Sequence, residues 1–252
     1  MNESVQKIKR QIELIGIILQ EDKKYSIADL AEIFDIQELT IKRDLKEIRS
    51  MGVDIHSTAK RGVSIEGTLD PARISELLHF YTGTIIMDKG FARGLHLFSK
   101  NRLCNAVSIL TILNRGIESA TQVKIIYQKN EKEEPSVRII EPYLIYEGEN
   151  VLRLMAVQDG KTKQFLLDRI ICASMTAKKF SPTMAVDIER MLQNSFKSWI
   201  SDTLITIRLK FDKRWAKRLD KRQMFVHQKF VWIDDDTALF EAEINSINEA
   251  AT

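Results

Sequence analysis

"DLAEIFDIQELTIKRDLKEIRSMGVDI" runs from Asp29 to Ile55. Its second half sets Lys42, Arg43, Lys46 and Arg49 beside Ile41, Leu45 and Ile48. At about 100° per residue, the three aliphatic residues form one narrow stripe, with Arg43 and Lys46 pointing away from it. A charge run is ordinarily a solvated helix face, but this one follows a second short amphipathic segment and a tight turn. In "YSIADLAEIF", Ser26 suits an N-cap, Asp29 falls at the third helical position, and Ile27, Leu30 and Phe34 share a face. Asp35 then stands where the turn needs a left-handed residue, which Asp tolerates.

Working outward, "SVQKIKRQIELIGIILQ" places Val5, Ile8, Ile12, Ile15 and Leu19 at helical spacing. Downstream, "GVDIHSTAKRGVSIEG" reads as two short strands around a basic turn at Lys60, Arg61 and Gly62. Three helices and a hairpin make a winged helix-turn-helix over residues 1–67. In that arrangement the third helix enters the major groove of DNA while its apolar stripe holds it to the second. Thr40 and Arg43 are the candidates for base edges, and Lys42, Lys46, Arg49, Lys60 and Arg61 for phosphates. Leu39 is placed to meet a thymine methyl. The segment as a whole carries eleven Lys and Arg against twelve Asp and Glu. The basic signal is therefore local, and a winged helix used only for protein contacts stays open beside the DNA-binding reading.

"SIADLAEIFDIQELTIKRDLKEIRSMGVDI" resembles the DeoR-type helix-turn-helix of bacterial transcription regulators. Ala31, Ile36, Thr40, Ile41, Lys42, Arg43, Asp44 and Leu45 fall on that family's pattern. Asp35 replaces its usual glycine, and Gln37 its usual capping serine. Gln37 thus bears both on how the recognition helix starts and on what it reads.

Gly67 and Pro71 in "GTLDPAR" mark a boundary and a candidate hinge. "PARISELLHFYTGTIIM" and "NRLCNAVSILTILNRGI" then read as apolar helices of a linker over 68–118. They either cover the next domain or hold a homodimer together, and palindromic operators favour the dimer. From Gln122 the hydrophobic period changes to two. "QVKIIYQ", "VRIIEPYLIYE", "NVLRLMAV", "TKQFLLD" and "ICASMTA" are five strand-like runs within 119–180, which suggests a small barrel or SH3-like sheet.

Tyr127, Arg138, Pro142, Gly148, Leu154, Phe165, Asp168, Arg169 and Ile170 together resemble the WYL domain. That resemblance implies an Sm-like barrel behind a winged helix and a ligand-sensing role. The triplet that gives the family its name reads Leu152, Arg153, Leu154 here, so the aromatic pair is missing. The family's basic position is Lys163. Arg138, Arg153, Lys163 and Arg169 come from adjacent strand regions. If they converge, they form a cationic site suited to phosphate, a nucleotide or single-stranded nucleic acid, with Tyr127 and Asp168 beside it. The alternative reading of Asp168 next to Arg169 is a structural salt bridge.

Over 181–252, "MAVDIERMLQNSFKSWI" reads as a linking helix, followed by strand, helix, strand, strand. This resembles the ferredoxin-like extension behind WYL domains, incomplete because that fold would need one more helix and strand. The chain is either shorter than its relatives or truncated. Lys and Arg between Arg208 and Arg222 outnumber Asp, which suits a solvated helix face first and an anionic partner second.

The chain has 252 residues, 44% hydrophobic and 29% charged, with a net charge of +3. This is an ordinary balance for a soluble globular protein, and the segments read above make the expected fold α+β and multidomain. No run approaches the roughly 20 apolar residues of a membrane span, and the N-terminus lacks a signal core, so a cytoplasmic protein is expected. Cys104 and Cys172 stand alone, and the four histidines form no nearby pairs, so neither a metal site nor a cofactor is expected. No Gly-rich phosphate loop or Ser/His/Asp arrangement suggests catalysis. The expected function is a transcriptional regulator that binds double-stranded operator DNA as a homodimer, modulated by a nucleotide or single-stranded nucleic-acid effector. The alternative is a non-regulatory nucleic-acid-binding or assembly protein built on the Sm-like barrel.

Overall fold

The computed structural model describes residues 3–20, 24–58, 62–85, 92–148, 150–183, 205–219 and 228–244. The first helix is α1, Glu3–Ile18. Its apolar residues recur at helical spacing, but from Gln11 to Ile18 every residue is buried. A helix hydrophobic on one side only would not be, and neighbours on all sides explain it. After α2 (Ile27–Phe34) and α3 (Glu38–Ser50) come β1 (Ile55–Thr58) and β2 (Gly62–Ile65), paired antiparallel. The wing residues Lys60 and Arg61 lie outside the described residues.

Local chemistry sets these boundaries. Ser26 Oγ accepts from Asp29 N while the Asp29 carboxylate accepts from Ser26 N, a reciprocal cap for α2. Asp35 closes the helix in the left-handed region at φ 52°, as its position in the turn demands. Gln37 starts α3 with no side-chain cap.

Three helices follow: α4 (Pro71–Ile85), α5 (Ala92–Arg102) and α6 (Cys104–Glu118). The periodicity marks the first and last of these. The middle one is passed over because, among the described residues of α5, Leu95 and Phe98 are the only large apolar side chains buried, too few to reveal a period. Leu103, at φ 44°, breaks α5 from α6.

Five antiparallel strands come next: β3 (Thr121–Tyr127), β4 (Ser136–Gly148), β5 (Val151–Gln158), β6 (Lys161–Leu166) and β7 (Ile170–Lys179). Their order is β6-β5-β4-β3-β7. The expected closed barrel does not form. Closure would need β6 to pair with β7, but these are the two edges of the sheet, joined by a 3-10 turn at Leu167–Arg169. The long strand β4 is shared instead, pairing with β3 through its first half and with β5 through its second. A bulge between Pro142 and Leu144, just inside the second half, bends the sheet. Tyr127 on β3 thereby meets Phe165 on β6 edge to face, with ring centroids 5.2 Å apart.

Contacts divide the chain into two compact units, 1–181 and 182–252. In the first, one hydrophobic core runs from Ile12 to Ala173 without interruption. Helix α6 is its central element, touching α1 and α4 on one side and β3, β4 and β7 on the other. In the second unit, β8 (Ile205–Asp212), α7 (Lys213–Leu219), β9 (Gln228–Trp232) and β10 (Thr237–Ile244) form a small sheet of order β8-β10-β9. Because β10 is antiparallel to both neighbours, β8 and β9 run the same way. That is a split β-α-β arrangement around Phe240, Ala242 and Ile244. The expected linking helix lies outside the described residues.

Candidate nucleic-acid interface and sensor face

Helix α3 separates its residues sharply. Ile41, Leu45 and Ile48 are buried, while Leu39, Lys42, Arg43, Lys46 and Arg49 are exposed and Thr40 is half-buried. Leu39 stands 54% exposed at the start of the helix, and Gln37 is exposed just before it. Lys42 is 3.5 Å from Glu38 one turn earlier, and Arg49 Nε donates to Leu45 O at 3.2 Å.

Two of the three acidic residues of the helix, Asp44 and Glu47, are drawn away from this surface, while Glu38 stays on it beside Lys42. Asp44 is 1% exposed and accepts from Arg10 Nε at 2.7 Å and Gln11 Nε2 at 3.1 Å. Glu47 accepts from Lys7 at 2.6 Å and Gln11 at 2.7 Å. The bonds from Lys7, then Gln11, hold its carboxyl below the usual range. Residues of α1 therefore pair with Asp44 and Glu47, so neither carboxylate offsets the cations on the outer side of α3, where Glu38 faces Lys42. Nothing local in the sequence signals this pairing, because the partners are more than 30 residues apart.

On the sheet, directly paired residues share a face. Ile125 opposes Arg138 and Tyr127 opposes Ser136, so Tyr127 and Arg138 stand together. The Arg138 guanidinium carbon lies 4.8 Å from the Tyr127 ring centroid and 5.7 Å from that of Phe165. Its Nε donates to Ser136 Oγ at 3.2 Å. Lys163 pairs with Ala156, which pairs with Pro142, and so belongs to the same face; its Nζ donates to Gln158 Oε1 at 3.2 Å.

Arg153 does not join them. It pairs with Tyr146 and Leu166 on the opposite face, with Nε 3.4 Å from Gly148 O. Arg169 is exposed on the 3-10 turn. The main-chain oxygen of Asp168 accepts from Arg102 Nε at 2.6 Å and also from its Nη2. Burial, opposed by the nearby Asp168 charge, lowers the Arg102 pKa. Among the described residues Asp168 makes no ion pair with Arg169, and its buried Oδ1 has no hydrogen-bond partner. The cationic residues thus divide into Arg138, backed by Tyr127 and Phe165, with Lys163 on the same face of the sheet, and the separate Arg153 and Arg169. Such a group can hold an anionic, planar ligand by charge and stacking.

One cluster escapes sequence reasoning. Asp54, His56 and Glu66 bring a ligand atom each within 4.8 Å of one another at the base of the hairpin. The signal is cross-strand register, since Glu66 N bonds to Asp54 O at 2.8 Å. All three are exposed, and His56 Nε2 lies 2.6 Å from Asp54 Oδ1, the geometry of an ordinary histidine–carboxylate hydrogen bond.

Residues 10–64 match the family model of an HTH domain, and residues 108–175 match that of a WYL domain. No curated protein matches the chain. Among solved structures it is similar to proteasome accessory factor B/C (PafBC) of Arthrobacter aurescens, at 14% identity over 96% of this chain and 43% of that one, with a TM-score of 0.29. It is also similar to a hypothetical protein whose crystal structure is at 2.2 Å resolution, at 14% identity over 79% of this chain and 57% of that one, with a TM-score of 0.22. The chain therefore spans about half the length of these structures. The chain thus carries a match to an HTH domain followed by a match to a WYL domain. Among the described residues no helix is long and apolar enough to cross a membrane.

Proposed function

We propose that this chain of an HTH domain and a WYL domain is a bacterial transcriptional regulator, not an enzyme. It binds double-stranded operator DNA through a DeoR-type winged helix and is modulated by an anionic ligand on its sheet. The observation that carries the reading is the outer side of α3, where Arg43, Lys42 and Lys46 are exposed while Asp44 is buried against Arg10. Arg43 reads a base edge, and Lys42, Lys46 and Arg49 meet phosphates, with Lys60 and Arg61 of the wing alongside. The effector is a nucleotide or a single-stranded oligonucleotide, bound at Arg138, Tyr127 and Lys163 rather than through the missing aromatic pair. The regulator works in the cytoplasm as a homodimer on two half-sites.

Selection from a random duplex pool tests this. A defined site is expected to emerge. On it Arg43→Ala loses about 1–3 kcal/mol, while Lys46→Ala weakens all sequences alike and reduces the salt slope by about one. Unchanged affinity in both variants, or no enrichment from the pool, overturns the DNA reading. Binding of an oligonucleotide such as (dT)12 to the full chain, weakened by Arg138→Ala, tests the sensor reading separately.

A further inference from the structure

Helix α2 ends at Phe34, and a helix leaves its last carbonyl groups without partners inside itself. At this end Asp35 N bonds to Glu32 O and Ile36 N to Ala31 O. The carbonyl of Ile33 is met from elsewhere. Arg115 of α6, 82 residues along the chain, donates to it from Nη2 at 2.8 Å. The same guanidinium lies 4.2 Å from the Phe34 ring centroid and donates from Nη1 to Glu13 Oε2 on α1 at 2.9 Å. It is a helix C-cap supplied by another segment, a cation where the helix dipole is negative.

The group is held in place from several sides. Glu13 is 4% exposed, and its other oxygen accepts from the buried Tyr81 hydroxyl at 2.8 Å. Asn114, next to Arg115 on α6, donates to that hydroxyl at 3.1 Å. Burial, and then the Glu13 charge, push the Tyr81 phenol well above its usual pKa, so it remains a donor to Glu13. One turn of α6 thus fixes α1, α2 and α4 together. The next residue, Gly116, faces the sheet so closely that an added methyl would stand 2.6 Å from Val123 Cγ2 and 2.9 Å from Pro142 Cγ.

We infer that Arg115 is a positioning residue for the helix-turn-helix, capping its first helix from the helix that lies on the WYL sheet, so that a shift of α6 on the sheet moves the turn that aims α3. The inference rests on the DNA-binding reading for its consequence, though not for the contact itself. Coupling between two sites needs an element that both of them touch, and α6 touches the sheet with Gly116 and the motif with Arg115.

Hydrogen exchange on the full chain tests it, with Arg115→Met, Arg115→Lys and Gly116→Ala. Arg115→Lys keeps a charge for Glu13 but loses the fork that reaches both partners. In either Arg115 variant, the amides of residues 35–38 are expected to exchange on the order of tenfold faster relative to those of β3–β5. Affinity for the selected duplex falls about tenfold. Gly116→Ala accelerates the same amides, and this effect disappears in the Arg115→Lys background, because the route is already cut. Residues 35–38 unchanged relative to the sheet, or acceleration equal everywhere in both Arg115 variants, overturns the positioning role. Additive effects of Gly116→Ala and Arg115→Lys overturn the transmission. A wild-type chain that binds no duplex defeats the DNA reading alone, since the exchange measurement still reports the cap.

Discussion

Asp44 shows how a single residue changes meaning in three dimensions. In the sequence it dilutes a basic run; in the fold it leaves that run and anchors it, buried against Arg10 and Gln11. Removing one partner of a buried pair strands the other. Asp44→Ala is therefore expected to cost about 3 kcal/mol in urea unfolding, well above the few tenths typical of a surface residue such as Lys42→Ala. Tyr81 gives a pH signature. Its pKa is raised in the folded state, chiefly by burial, so its contribution is complete below the unfolded value of 10.0 and is lost as pH rises through the folded one. Stability should decline on the alkaline side, and Tyr81→Phe should flatten that part of the profile.

At the scale of elements, two features dominate. The reciprocal cap of Ser26 and Asp29 was legible because it spans three residues, and Ser26→Ala is expected to lower thermal stability by about 1 kcal/mol. Helix α1 crosses α6 at Gly16, where an added methyl would collide with Thr111 Oγ1 and stand 3.0 Å from Thr111 Cβ. Thr111 is fully buried and bonded to Val107 O, so it has nowhere to go. Gly16→Ala should therefore destabilise by about 1–3 kcal/mol, even though alanine is the better helix former. A stabilised variant in chemical denaturation would contradict this packing. Nothing in the pattern "LIGII" announces such a crossing.

At the scale of the molecule, the winged helix, the helices behind it and the five-stranded sheet share one core. Gln20, just past α1, even bonds to Ala173 O on β7. Residues 1–181 should accordingly unfold in a single calorimetric transition. A fragment of 1–67 alone should melt far lower, because Leu14 and Ile15 lose the cover of α4 and α6. Two resolved transitions within 1–181 would refute the shared core. Homodimer formation is expected on light scattering at micromolar concentration, and single half-site occupancy by a monomer would remove that proposal.

Sequence alone determined what near neighbours decide: the helices of the helix-turn-helix, the left-handed Asp35, the exposed cations of α3, and five strands of period two. Those features depend on contacts three, four or two residues apart. Tertiary structure decided the rest. Period two places Tyr146 on the face of Arg138, and so its partner Arg153 too. One extra residue at the Pro142–Leu144 bulge flips Tyr146 and carries Arg153 to the other side. The same bend brings Tyr127 to Phe165 without pairing the edge strands, so the expected barrel stays open. Arg115 reads as an ordinary basic residue near the end of a helix. It becomes a cap for Ile33 only because α6 packs against the helix-turn-helix, and contacts across 82 residues leave no trace in a local pattern.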